Sequence, residues 1–459
     1  MRSSRTLWAA CLAQLLVVLD TSIVNVALPT IQRRLDLSAS EVSWVALAYA
    51  LGFAGVLLVG ARLGDRLGPA RALMWGMVAF AVASLVGGIA DSGVLLILAR
   101  AAQGVCAAVV SPATLTLLTT TYPEGARRVR ALAIWTAVSL TGGGIGNILG
   151  GMLTQWVSWR GVFLIAVPVA AMVVIGVRPL CGAEPARQKV RVPLTGALLV
   201  TAAFALVTYV LSSAAEHFDD AGWVAVAACS AALAGTAIWQ QWRSDDPLIP
   251  RALWRIRAIV TGNAAILVTG MCFQVSVWFF LTFLMQQHLG YDAFTTGLAF
   301  LPLTVVMLVI NTWVTPRLLR RASAKIVSVL GMLIAAIGFA AQAAVPPDEF
   351  IVAILLPSTI IGIGGGLFNT PLTTIVTNGV ATENAGAASG MMNVAKQFGG
   401  ALGIASLTAI GTTTGNDRSV FVAMSVLMAV SIVLTLAIPN SHRNPDTGAQ
   451  TDPVGQDAM

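Results

Sequence analysis

This sequence is poor in charge. Of its 459 residues only 10% are Asp, Glu, Lys or Arg, against about 25% in an ordinary soluble domain. Hydrophobic residues make up 57% and the mean hydropathy is +0.83. Too little polar surface remains to cover a water-soluble globule of this length, so the lipid bilayer is the natural solvent. Cysteine is scarce and unpatterned: Cys11, Cys106, Cys181, Cys229 and Cys272 show no CxxC spacing and lie mostly in apolar runs. That argues against a disulfide or metal framework, and small buried hydrophobes are expected instead. Lysine occurs only at positions 189, 325 and 396, never after a glycine. The phosphate loop G-x-x-x-x-G-K-[ST] is therefore absent. The run Gly362–Gly366 sits inside an apolar helix and follows no strand. HExxH, GxSxG and any evident nucleophile–base pair are missing too, so neither an enzyme nor a cofactor is expected. Uphill transport would draw on an ion gradient or a partner ATPase, and the former is expected.

What is present in abundance is apolar runs of about twenty residues, the length a bilayer core requires. Fourteen are expected, near 7–28, 42–62, 70–90, 94–117, 129–153, 161–180, 193–213, 221–241, 258–284, 296–316, 326–345, 350–371, 386–411 and 419–438. The first follows Arg2 and Arg5 and reads as a retained span rather than a cleaved signal. Positive charge tests this map independently. With the N-terminus inside, the inner loops and span edges carry 21 of the 27 Lys and Arg, and the outer ones only Arg33, Arg34, Arg160 and Arg418. Such a split is what the positive-inside rule requires. The formal charge of +7 then reflects topology and anionic lipid headgroups, with no nucleic-acid partner needed. Residues 441–459 are polar and rich in Pro and Gly, and are expected to be a disordered cytoplasmic tail. No large extramembrane domain is expected.

Ionisable groups at membrane depth are costly and so are functional candidates by default. Asp20 is the one acidic residue expected deep in a span, with Arg100 and Lys396 as the deep cations. Helix rise puts Asp20 ~20 Å above the inner edge of a ~30 Å core and Arg100 ~9 Å below its outer edge. The two fall at similar depth; Lys396 comes out near the midplane. A desolvated Asp tends toward protonation and a neighbouring Arg favours its ionised form. A carboxylate between these tendencies is suited to proton exchange as a cavity opens to one side and then the other.

The motifs resemble the major facilitator superfamily, specifically its drug:proton antiporter branch with fourteen spans. The first-span signature of that branch looks like LDxTIVNVALP, and residues 19–29 read LDTSIVNVALP, which implies that Asp20 is the branch's membrane carboxylate. Trp44, Tyr49 and Leu51 match the opening of the second span. ARLGDRLGPAR, 61–71, is similar to the superfamily's loop between spans two and three. The resemblance implies a gating role for Asp65, Arg66, Gly68 and Arg71, although Ala61 and Pro69-Ala70 depart from the pattern. RAAQGVCAA, 100–108, resembles the fourth-span RxxQGxGxA element and implies that Arg100 takes part in proton transfer. In the fifth span GGGIGNILGG, 142–151, keeps Gly142, Gly146, Gly150 and Gly151 of the antiporter motif GxxxGPxxGG but has Asn147 in place of its proline. Small residues at that spacing let helices approach closely; the proline-linked kink is expected to be lost, and the alternative is that Asn147 hydrogen-bonds across the cavity. WRGVFLIAVP (159–168), DPLIP (246–250), the stretch from Gly364 to Pro371, GAASGMMNVAKQFGGALG (386–403) and a weak second loop copy at 317–325 extend the match over nearly the whole chain.

The expected fold is all-α and polytopic, fourteen helices as 6+2+6 with both termini cytoplasmic. Residues 1–180 and 258–440 would form six-helix bundles, 181–257 two inserted helices with linkers, and 441–459 the tail. The expected function is proton-driven efflux of small amphipathic or hydrophobic compounds across the bacterial inner membrane by alternating access. A proton-coupled symporter of a small metabolite and a non-transporting membrane sensor are the alternatives. Asn25, Gln103, Trp135, Trp278, Phe368 and Lys396 are the candidates for the substrate cavity. Protons, small molecules and the bilayer are the expected partners of a monomeric chain.

Overall fold

The computed structural model describes residues 2–183, 194–217, 220–244, 247–346, 349–377, 380 and 385–439. Arg187, Lys189, Arg191, Asp246 and the tail fall outside them. Among the described residues every regular element is helical, and no strand is present. The reason is the solvent: in hydrocarbon each backbone N–H and C=O must be satisfied within its own segment.

The chain order is α1 (Arg2–Leu35), α2 (Ala39–Leu67), α3 (Pro69–Ile89), α4 (Gly93–Thr121), α5 (Ala126–Trp156) and α6 (Gly161–Cys181), then α7 (Leu194–His217) and α8 (Ala221–Arg243). There follow α9 (Arg257–His288), α10 (Ala293–Leu319), α11 (Ala324–Ala344), α12 (Ile351–Thr377), α13 (Ala385–Thr414) and α14 (Asp417–Leu436). Thirteen of these are long and apolar enough to cross a bilayer. The helix outside that set is α13, although it is 30 residues long. Its polar residues, including Asn393, Lys396 and Gln397, lower its hydropathy for a reason that the site makes plain below.

Helices α1–α6 pack among themselves, as do α9–α14, and the two bundles meet where α2 crosses α13 and α5 crosses α10. The inserted pair is peripheral: α7 lies against both α2 and α13, while α8 packs chiefly on α7. Large apolar side chains such as Trp75, Val82, Leu98, Ile175 and Val433 face outward, as lipid contact requires. Exposed Trp8, Trp156, Trp242 and Trp313 sit toward helix ends, the level of an interfacial aromatic belt.

Among the described residues four hydrogen bonds join the bundles at the end remote from the N-terminus. Asn25 donates to Thr282 Oγ1 at 3.3 Å, Gln286 to the Val26 carbonyl at 2.9 Å and Gln287 to Gln32 at 3.5 Å; Ser43 and Thr408 share a hydroxyl contact at 3.2 Å. At the near end α2 turns into α3 through Gly68 alone. Its φ of 91° is a region that L side chains rarely adopt, and Pro69 opens α3 at once.

Candidate functional site

Arg100 and Gln103 lie three residues apart on one face of α4, so both side chains reach the same neighbour. That neighbour is Asp20 of α1. Arg100 Nη1 donates to Asp20 Oδ2 at 2.5 Å and to Gln103 Oε1 at 2.9 Å. Gln103 Nε2 donates to Asp20 Oδ1 at 3.1 Å and to Ser84 Oγ of α3 at 2.8 Å. Both carboxylate oxygens thus have a donor. Arg100 Nε also reaches the Val45 carbonyl of α2 at 3.2 Å, and its guanidinium carbon lies 4.5 Å from the centre of the Tyr49 ring. The Tyr49 hydroxyl donates to the Val17 carbonyl at 3.2 Å, which pins the ring across the pair. Asp20 and Arg100 are each only 1% exposed.

Close helix packing makes this network reachable. A Cβ on Gly52 or Gly60 of α2 would run into the backbone carbonyls of Ala101 or Ala108, and one on Gly104 of α4 into that of Tyr49. Small residues therefore bring α2 onto α4 closely enough for a side chain of α4 to bond the backbone of α2. The α5 glycines act likewise on α1. Gly142 packs on Leu15 and Val18, Gly146 on the Leu19 carbonyl and Gly150 on Ile23, while Gly151 faces Ala293 of α10.

Beside this network lies a central cavity of about 440 Å³ between the bundles. Gln14, Thr21, Ser22 and Asn25 of α1, Tyr49 and Phe53 of α2, Ser111 of α4 and Trp135, Ser139 and Asn147 of α5 line one side. Gln274 and Trp278 of α9 and Asn393, Lys396 and Gln397 of α13 line the other. Asp20, Arg100 and Gln103 are not on its wall; the Tyr49 ring stands between. The α9 wall is irregular, since the helix breaks at Gln274–Val275 and resumes at Ser276. Smaller chambers of about 120 and 220 Å³ share walls with the cavity, the first through Lys396 and Asn393, the second through Trp278 and Asn147.

Of the residues expected to line the substrate space, Asn25, Trp135, Trp278 and Lys396 lie on the cavity wall. Gln103 does not. It is fully buried and bonded to Asp20 instead, because its place three residues after Arg100 turns it toward α1. Phe368 is one chamber away, packed edge-to-face on Phe273 at 4.9 Å. Asn147 faces the cavity from an unbroken 31-residue helix and makes no side-chain hydrogen bond with a described residue. In the last turn of α2 Asp65 and Arg66 are exposed and form no ion pair with a described residue; Arg62 donates to the Pro247 carbonyl at 3.2 Å. Reasoning from sequence missed Ser84 and the placement of Tyr49 over the pair. It also missed Gln274, an amide in an apolar run, and Asn393 and Gln397, which share a helix face with Lys396. Intramembrane amides treated as the charges were would have flagged these three. Among the described residues no group of His, Cys, Asp and Glu is arranged to hold a metal ion.

The chain matches the family model described as Major Facilitator Superfamily over residues 10–404. It is 42% identical to a cephamycin export protein from Amycolatopsis lactamdurans, the match covering 96% of this chain and 93% of that one. Identity is 36% to a puromycin resistance protein from Streptomyces alboniger, over 87% and 80% of the two chains. It is 31% to a tetracenomycin C resistance and export protein from Streptomyces glaucescens, over 88% and 74%. In fold the chain is similar to a crystallised POT family transporter in complex with a thioalcohol-conjugated peptide, with a TM-score of 0.70 at 15% identity over 94% and 95% of the chains. These matches and the helical architecture agree: the chain belongs to the Major Facilitator Superfamily and is a multi-pass inner-membrane transporter.

Proposed function

We propose that this protein exports small amphipathic or hydrophobic compounds, antibiotics or toxic metabolites among them, in exchange for protons. The relatives named for cephamycin, puromycin and tetracenomycin C are export or resistance proteins, which supports the direction and kind of cargo. The observation that carries proton coupling is a buried Asp20–Arg100 pair adjacent to the central cavity yet shut off from it by Tyr49.

Arg100 is held by more than its carboxylate. When Asp20 takes a proton, the Val45 carbonyl, the Gln103 amide oxygen and the Tyr49 π-face still surround the guanidinium. Neutralising Asp20 therefore leaves no bare buried cation, and that lowers the cost of the protonated state. Uptake of the proton breaks the ion pair and loosens α1 from α4. Because α1 also forms much of the cavity wall, this change reaches the bound compound. In the proposed cycle a proton from outside neutralises Asp20, the compound leaves outward, and the bundles rock back so that the proton is lost to the cytoplasm. The membrane potential contributes about 2.3 kcal/mol per charge per 100 mV. Fourteen spans as 6+2+6 with both termini cytoplasmic, a single polypeptide as the working unit and no cofactor besides the proton gradient complete the reading. The loop at Asp65, Arg66, Gly68 and Arg71 is its inner gate, and Arg100 serves Asp20.

In cells stripped of their own exporters, the wild type should confer resistance and Asp20→Asn, inserted to the same level, should not. In proteoliposomes an imposed pH gradient should drive a dye uphill, opposite to proton flow. Full resistance in Asp20→Asn removes that residue from the mechanism. Dye moving with the protons makes the protein a symporter, and no flux of any compound makes it a sensor.

A further inference from the structure

The cavity and its two side chambers share an unusual charge inventory. Among the described residues on their walls Lys396 is the sole charged side chain, and no Asp or Glu appears. Lys396 is half-buried, lines both the cavity and the smaller chamber, and has neither an ion-pair nor a hydrogen-bond partner among the described residues. An ammonium group in such a place is held at a cost unless something completes it. The Arg100 charge is completed by the protein; the Lys396 charge is left to whatever fills the cavity.

The groups beside it sharpen the identity of that occupant. Gln397 accepts from Gln274 Nε2 at 3.3 Å through its oxygen, which leaves its amide N–H groups to donate. Asn393, one turn earlier, spends a donor on the Ser389 carbonyl at 3.0 Å. The Lys396 ammonium and the Gln397 amide are thus both donors on the cavity wall, where among the described residues no Asp or Glu appears, and together they complement an anion. Trp135, Trp278 and Phe53 face the same space and suit an apolar body. A cation would meet no counter-charge here and would be repelled by Lys396.

We propose that the cavity selects carboxylate-bearing amphiphiles and that Lys396 is the residue that recognises the carboxylate. This names the substrate class of the exporter and rests on that reading only for the cavity being the transport site. Binding is measured without any gradient, so failure here is distinguishable from failure of proton coupling.

The test is equilibrium dialysis of the purified full-length protein with radiolabelled 2-naphthoate and with its near-isosteric neutral amide, 2-naphthamide. Naphthoate should bind at least about tenfold more tightly than naphthamide, the difference that one charge-assisted contact supplies. Lys396→Gln should bring the two ligands level, with naphthamide still bound by the variant as the sign that the cavity is intact. Lys396→Arg should retain the preference. Asn393→Asp, which sets a carboxylate one turn from Lys396, should weaken naphthoate alone. Equal binding of acid and amide to the wild type, no binding of either, or a preference that survives Lys396→Gln overturns the proposal.

Discussion

The two bundles are alike in scaffold and unlike in charge. In the first, Gly146 and Gly150 press α5 onto the backbone of α1; in the second, Gly399 and Gly403 press α13 onto the carbonyls of Leu267 and Met271 in α9. Both seams repeat a small residue every fourth position. The first bundle then uses its depth to bury a matched pair, Asp20 with Arg100, whose charges the protein satisfies internally. The second leaves one cation, Lys396, facing open space. A charge that is fully answered within the protein suits a group that must release and regain a proton, whereas an unanswered charge suits recognition of a ligand. The same helix packing therefore supports two kinds of chemistry, with the difference set by whether a partner was placed within reach.

The largest way to break this contrast is Arg100→Ala. It abandons a buried carboxylate, so the unfolding free energy in mixed detergent–lipid micelles should fall by about 3–5 kcal/mol. Adding Asp20→Asn should recover much of the loss; a double variant no more stable than Arg100→Ala would mean that the pair is not what holds α1 to α4. Next come the seams. Gly150→Ala and Gly403→Ala each drive a methyl group into a facing backbone, and both should cost about 1–3 kcal/mol in the same assay. A large cost on one side with none on the other would end the claim of a shared scaffold. Tyr49→Phe keeps the ring over Arg100 and loses the bond to Val17, worth about 1 kcal/mol. Tyr49→Ala also removes the barrier to the cavity, and pH-gradient decay in proteoliposomes should quicken in that variant but not in the Phe one. Smallest of all, Lys396→Gln deserts no internal partner and relieves an uncompleted charge, so its stability should equal or slightly exceed that of the wild type.

Much of this was legible in the chain because membrane depth is a linear quantity. Counting residues along two antiparallel helices was enough to put Asp20 and Arg100 at one level, and hydropathy marked the helices in which they sit. Rotation about the helix axis is less legible. Gln103 looked like a cavity residue until its place one turn from Arg100 proved to point it at α1, and Phe368 turned toward Phe273 rather than into the main space. Asn147, read both as a change in the helix path and as a side chain that could bond across the cavity, stands on the cavity wall but bonds to no described residue through its side chain. Ser84 gave no signal at all: a single hydroxyl in an apolar span costs little and is common. Its importance comes only from the amide that approaches it from another helix.

The clasp at the remote end has a consequence for the medium the protein works in. All four of its bonds join uncharged groups: Asn25 to Thr282, Gln286 to a main-chain oxygen, Gln287 to Gln32, and one hydroxyl to another. Each is worth about 0.5–1.5 kcal/mol, and none is an ion pair that added salt would screen. A latch of this kind gives way to thermal motion and is little changed by ionic strength.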